Sequence, residues 1–161
     1  MTTEEYNKAV DLYSDGAYRF ILKNLRNSDK AKDIIQDSFE KLWLNVKNVN
    51  YEKVKSYIFS TAYNTMIDSI RKDKRLVDIE QSDLSEYSHN DNYSDVSEIL
   101  NKAITKLPID QRSVIMLRDY EGYSYEEISK ITGLSEAQVK VYIYRARVFL
   151  KEFIGSMSVL I

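Results

Sequence analysis

Apolar residues return every three or four positions along the start of the chain: Tyr6, Val10, Tyr13, Ala17, Phe20 with Ile21, and Leu25. That period puts them on one face of an α-helix, the face that packs inward. A second stripe follows Ser28, a candidate N-cap, and runs through Ala31, Ile34 with Ile35, Phe39, Leu42 with Trp43, and Val46. A polar break from Lys47 to Tyr51 ends it. The third stripe holds Val54, Tyr57 with Ile58, Thr61 with Ala62, and Ile70, and it closes in the basic run from Arg71 to Arg75. Three helices of this length can bury a modest shared core.

Residues 124–147 (SYEEISKITGLSEAQVKVYIYRAR) predict two helices separated by a tight turn. Ser124 with Glu127, and Ser135 with Gln138, have the spacing of capping boxes, in which each side chain serves the other's backbone N–H. Gly133 stands between them, where a helix ends in a left-handed residue that lacks a Cβ penalty. On the second helix Val139, Ile143, Ala146 and Leu150 make the inward stripe. Its opposite face carries Gln138, Val141, Tyr142 and Arg145, flanked by Lys140, Tyr144 and Arg147. This is the layout of a helix-turn-helix. A helix of this width enters the major groove of B-DNA, where Gln or Arg pairs with base edges and Lys or Arg neutralises phosphate.

Composition supports helices throughout. Four Gly and one Pro in 161 residues disfavour β architecture, and the length suits one or two small domains. The net charge of −2 looks unsuited to a nucleic-acid binder until it is divided along the chain. Residues 1–75 hold 14 Lys/Arg against 11 Asp/Glu, residues 76–98 none against 7, and residues 99–161 hold 9 against 7. The acidity is confined to a middle stretch rich in Ser, Asp, Asn and Tyr, which reads as a linker. The expected fold is therefore all-α, with two small helical domains: an N-terminal helical bundle over 1–75 and a C-terminal helix-turn-helix domain over 99–161. A flexible acidic linker over 76–98 joins them. Neither lobe is basic enough to hold DNA tightly alone, since backbone affinity grows with the number of phosphates neutralised, so a larger partner is expected.

Several function classes are disfavoured. The chain has no Cys, so no disulfide or thiolate metal site, and its one His, His89, falls in the expected linker. There is no Gly-rich phosphate loop, Ser nucleophile elbow or carboxylate/His cluster at metal spacing. The reading is a non-enzyme with no cofactor and no metal. No window holds the roughly 18 uninterrupted apolar residues of a membrane span, and the first residues lack a basic-then-apolar signal pattern. A cytoplasmic location without membrane insertion is expected.

Four runs together resemble a known family. The run from Asp33 to Trp43 (DIIQDSFEKLW) is similar to a helix of the bacterial extracytoplasmic-function sigma factors, a small group within the sigma-70 class. The run from Tyr57 to Arg71 (YIFSTAYNTMIDSIR) is similar to their next helix. Leu107 to Arg118 (LPIDQRSVIMLR) and the pair Val139-Lys140 with Arg145, Ala146 and Arg147 resemble motifs of their second lobe. All four occur in the family's order.

The resemblance implies a sigma factor that binds core RNA polymerase and directs initiation at promoters with −35 and −10 elements. In the family the first helix docks on the β′ clamp helices, which carries over to Asp33, Gln36, Asp37, Glu40 and Leu44, with Phe39 and Trp43 partly in the core. The β flap is a further expected polymerase contact. The loop from Asn45 to Lys55 matches the place where a flipped base of the −10 element is held. Candidates there are Asn48, Asn50, Tyr51 and Lys55, joined by Asn64, with Arg71, Lys72, Lys74 and Arg75 on phosphate. Ser135, Gln138, Lys140, Tyr142, Arg145 and Arg147 are expected at the −35 element. Many relatives carry Arg or Ser where Val141 and Tyr142 stand, so this chain offers less charge and more apolar contact, suited to a thymine methyl. An anti-sigma factor is a further implied partner. The rival readings are a stand-alone helix-turn-helix regulator and a helical adaptor that binds polymerase without reading promoters.

Overall fold

The computed structural model describes residues 1–77 and 95–159, with side chains for 1–74 and 97–156. The chain divides into two compact units, and the described residues of both are helical, with no strand among them. Most of the acidic stretch expected as a linker lies outside the described residues. Its two ends are helical: Val77 closes one helix and Asp95 opens the next.

The N-terminal unit holds α1 (Thr3–Leu25), α2 (Ser28–Leu44), a 3-10 turn (Tyr51–Lys53) and α3 (Val54–Val77). Thr2 and Glu5 form a capping box at the start of α1, with bonds of 3.1 and 2.9 Å. The Thr2 backbone N–H holds the Glu5 carboxyl below its ordinary pKa. Arg26 ends α1 in the left-handed region at φ 57°, its N–H returning to the Leu22 carbonyl at 2.7 Å. Asn27 rather than Ser28 caps α2. Its backbone is extended and its Oδ1 accepts from Lys30 N at 3.1 Å, while Ser28 is already helical.

Each of the three helices packs on the other two, and Phe20, Ile21, Leu42, Ile58, Phe59 and Met66 are fully buried between them. Phe20 and Phe59 meet with ring centroids 5.9 Å apart. Burying one such side chain stabilises by roughly 1.5–3 kcal/mol. The buried polar groups are satisfied within their own helices: Asn24 donates to Phe20 O at 3.0 Å and Ser38 to Ile34 O at 2.7 Å.

The C-terminal unit holds α4 (Asp95–Lys106), α5 (Ile109–Ile115), α6 (Tyr125–Thr132) and α7 (Glu136–Val159). Pro108 precedes α5, where its fixed φ suits a helix start. A π-type turn, Met116–Tyr120, extends α5, with Glu121 N reaching back five residues to Met116 O at 3.2 Å. Gly122 then turns the chain at φ 75°, and Tyr123 N closes the corner on Leu117 O at 3.0 Å. α4 and α5 pack on α7, and Leu107, Val114, Leu117, Tyr123, Ile128 and Ile143 are among the buried side chains. Frayed residues are expected after Gly155, yet α7 stays helical to Val159.

Candidate polymerase and nucleic-acid interfaces

On α2 the division between faces is sharp. Ile34, Ile35, Ser38, Phe39 and Leu42 are buried, while Asp33, Gln36, Asp37, Glu40 and Leu44 are all exposed. Leu44 is 76% exposed and Trp43 46% exposed. Trp43 is thus less a core residue than its place in the apolar stripe predicts, because α2 ends one residue later and only Tyr6 covers it. The two rings meet edge to face at 5.0 Å, and the Tyr6 hydroxyl donates to Phe39 O at 3.0 Å. Burial raises the Tyr6 pKa.

Between α2 and α3 runs a charged groove lined by Lys30, Asp33, Asp37, Lys41, Asp68 and Lys72. Lys30 pairs with Asp73, and the Lys41 ammonium donates to the Thr65 hydroxyl at 3.3 Å. Lys72 therefore keeps company with the acids of α2. Tyr57, Asn64 and Arg71 stand in a row seven residues apart, two turns each, with Asn64 and Arg71 exposed. Lys74 is exposed on the far flank of that row, and the side chain of Arg75 lies outside the described residues.

The loop after α2 is folded by Asn45. Its carbonyl accepts from Asn48 N at 2.9 Å and Val49 N at 3.2 Å, and its side-chain amide donates to the Tyr57 hydroxyl at 3.1 Å. Asn50 caps the 3-10 turn through a bond from Glu52 N to its Oδ1 at 3.2 Å. Asn48 and Asn50 are exposed, and Tyr51 and Lys55 half-buried. Asn45 is not among the residues expected at this loop. An Asn at a helix C-terminus is the signal that points to it.

Both capping boxes of the helix-turn-helix are made. Ser124 and Glu127 exchange bonds of 3.2 Å, and Ser135 and Gln138 exchange bonds of 3.1 and 3.0 Å. Gly133 takes φ 79° between them. Val139, Ile143 and Ala146 are buried, Leu150 half-buried. Outward stand Gln138, Lys140, Val141, Tyr144 and Arg145, with Tyr144 70% exposed, while Tyr142 is half-buried on one flank. Arg147 is tied to Asp119 of the π-type turn, Nη2 to Oδ1, at 2.9 Å. That bond holds the Arg147 pKa above its ordinary value. Arg147 thus braces α7 against the turn, a role its position on the helix does not reveal.

Comparison with known proteins fits this geometry. The family described as Sigma-70 region 2 matches residues 9–76, and Sigma-70, region 4 matches residues 97–150. The chain is 30% identical to the ECF RNA polymerase sigma factor SigM of Bacillus subtilis over 94% of both chains. It is 36% identical to RNA polymerase sigma factor SigV of the same organism, over 80% of this chain and 78% of that one. Its fold is similar to the sigma factor RpoE of Bartonella quintana, solved in complex with the anti-sigma factor NepR: TM-score 0.80 at 26% identity, covering 95% and 98%. Matches to both regions, in order on one chain, define the sigma-70 class. This chain belongs within it to the ECF RNA polymerase sigma factors. It is a transcription initiation factor that binds core RNA polymerase and promoter DNA and directs promoter-specific initiation, with a helix-turn-helix as a DNA-binding element. No helix among the described residues is long and apolar enough to cross a membrane.

Proposed function

We propose that the two units divide the work of initiation. The α2 stripe of Asp33, Gln36, Asp37, Glu40 and Leu44 docks on the β′ clamp helices, where acids at helical spacing pair with cations of a partner helix and Leu44 supplies apolar contact. The observation that carries this assignment is the clean split of α2, in which every assigned residue is exposed and the inward stripe is buried. A second polymerase contact, at the β flap, falls to the C-terminal unit.

The loop from Asn45 to Lys55 receives an unstacked base of the −10 element, with Asn48, Asn50, Tyr51 and Lys55 around it and Asn64 nearby. Unstacking a base costs a few kcal/mol, so a pocket selective for one flipped base couples sequence reading to melting. Arg71 and Lys74 hold phosphate, as does Arg75 by its register on the helix. Lys72 serves the polymerase face instead, beside Asp33 and Asp37 in the groove.

On α7, Ser135, Gln138, Lys140, Tyr142 and Arg145 serve the −35 element. Gln138 has one constraint that follows from its cap. Its Oε1 already accepts from Ser135 N, so only its NH₂ points donors outward. It therefore suits the acceptors of guanine or thymine better than the donor-acceptor pair of adenine. Arg147, engaged by Asp119, supports the helix more than it reads it. The factor catalyses nothing itself, works in the cytoplasm and is held inactive by an anti-sigma partner, a regulation supported by the RpoE relative solved with NepR.

Run-off transcription by core polymerase from a library with randomised −35 and −10 segments tests this reading. Initiation that requires the chain and enriches both elements is expected. Enrichment at the upstream element alone favours a stand-alone regulator. No enrichment favours an adaptor.

A further inference from the structure

We propose that Arg118 and Lys140, gathered against the ring of Tyr125, form a seat for one phosphate of the DNA backbone beside the recognition helix. The proposal rests on the reading of α7 as the promoter-facing helix. Neither Arg118 nor Tyr125 belongs to any motif face singled out from the sequence as DNA-reading. The π-type turn brings them together. It carries Arg118, whose Nη1 donates to Tyr123 O at 2.8 Å and whose guanidinium carbon lies 4.8 Å from the Tyr125 ring centroid. Lys140, in the second turn of α7, places its Nζ 5.7 Å from the same centroid.

Two cations thus share one aromatic ring. A ring quadrupole attracts each of them weakly and neutralises neither. The carboxylate next to Arg118 in the chain, Asp119, is bound to Arg147 instead, at 2.9 Å. The site is left with two positive groups and a phenol, a donor set that matches a phosphodiester oxygen. Its place on the protein fits the same ligand. Lys140 and Arg147 are seven residues apart on one flank of α7, away from the flank of Gln138 and Tyr142. A helix in the major groove points its outer face at base edges and its flanks at the backbones of the groove walls. Tyr125 is the positioning residue, because its ring fixes where both charges stand.

The test uses holoenzyme made from the full chain and core polymerase. The probes are a promoter fragment drawn from the library selection and a fragment with its −35 segment scrambled. Arg118→Gln is expected to weaken binding to both fragments by a similar factor, roughly three- to tenfold, and to lower the slope of log Kd against log salt by about one. Arg118→Lys, which keeps the charge, restores the slope. Tyr125→Leu weakens binding in the same uniform way, and Tyr125→Phe recovers most of the loss. An unchanged salt slope in Arg118→Gln overturns the proposal, and so does a loss confined to one −35 sequence. Should Arg118→Gln fold poorly, the Tyr125 pair and Arg118→Lys still decide it: equal binding by Tyr125→Leu and wild type counts against the seat. If wild-type holoenzyme does not distinguish the two fragments, the reading of α7 fails, whereas the salt slope still reports on the phosphate.

Discussion

Gly133 and Gly155 make a controlled pair. A Cβ added at either position would meet no heavy atom within 4 Å, so packing cannot distinguish them. Backbone conformation does. Gly133 sits at φ 79° between α6 and α7, where a side chain is strained, and Gly133→Ala should destabilise the C-terminal unit by about 1–2 kcal/mol. Gly155 lies in α7, where Ala is the better helix former, and Gly155→Ala should stabilise by roughly 0.5–1 kcal/mol. Thermal melting followed by circular dichroism reads both, with shifts of opposite sign expected. Glu5 gives a pH counterpart. Its carboxyl pKa is lowered in the fold by the Thr2 N–H, so the stability it lends is present at neutral pH and lost as pH falls through its folded value. Glu5→Gln should therefore flatten the acid limb of the melting-temperature profile.

At the scale of elements, the acidic stripe and the recognition helix make separable predictions. Asp37→Arg reverses a charge at the centre of the α2 face and should weaken binding to core polymerase about tenfold or more, with a reduced salt dependence. Retention on immobilised polymerase measures it, and wild-type retention would remove α2 from the interface. Arg145→Ala should cost about 1–3 kcal/mol of promoter binding by holoenzyme if Arg145 pairs with a base or phosphate. A titration with unchanged affinity rules that pairing out. The helices and their caps are legible in the sequence, because period and capping are local rules: Ser124, Gly133 and Ser135 do what their spacing predicts. The π-type turn is not. Nothing in the run Met116 to Tyr120 breaks a helical pattern, and the turn depends on Tyr123 and Leu117 being buried together. For the same reason Arg118, Asp119 and Tyr125 cannot be read as neighbours of α7 from the sequence. Trp43 departs from its expected burial because a periodic stripe does not tell where the core it faces comes to an end.

At the scale of the whole molecule, one chain must hold a polymerase and two promoter elements together. The two matched regions, residues 9–76 and 97–150, sit on separate helical units, each with its own core and its own exposed face. Neither unit carries a strong positive charge, so neither is expected to hold DNA tightly by itself, and polymerase binding must supply the remainder. The decisive measurement is run-off transcription by core polymerase and the intact chain from a selected promoter with five extra base pairs between its two elements. Five base pairs turn one element by about half a helical turn relative to the other. Initiation is predicted to fall to the level seen without the chain and to return when ten are inserted and the faces realign, at least in part. Undiminished initiation from the five-base-pair insertion would contradict simultaneous grip.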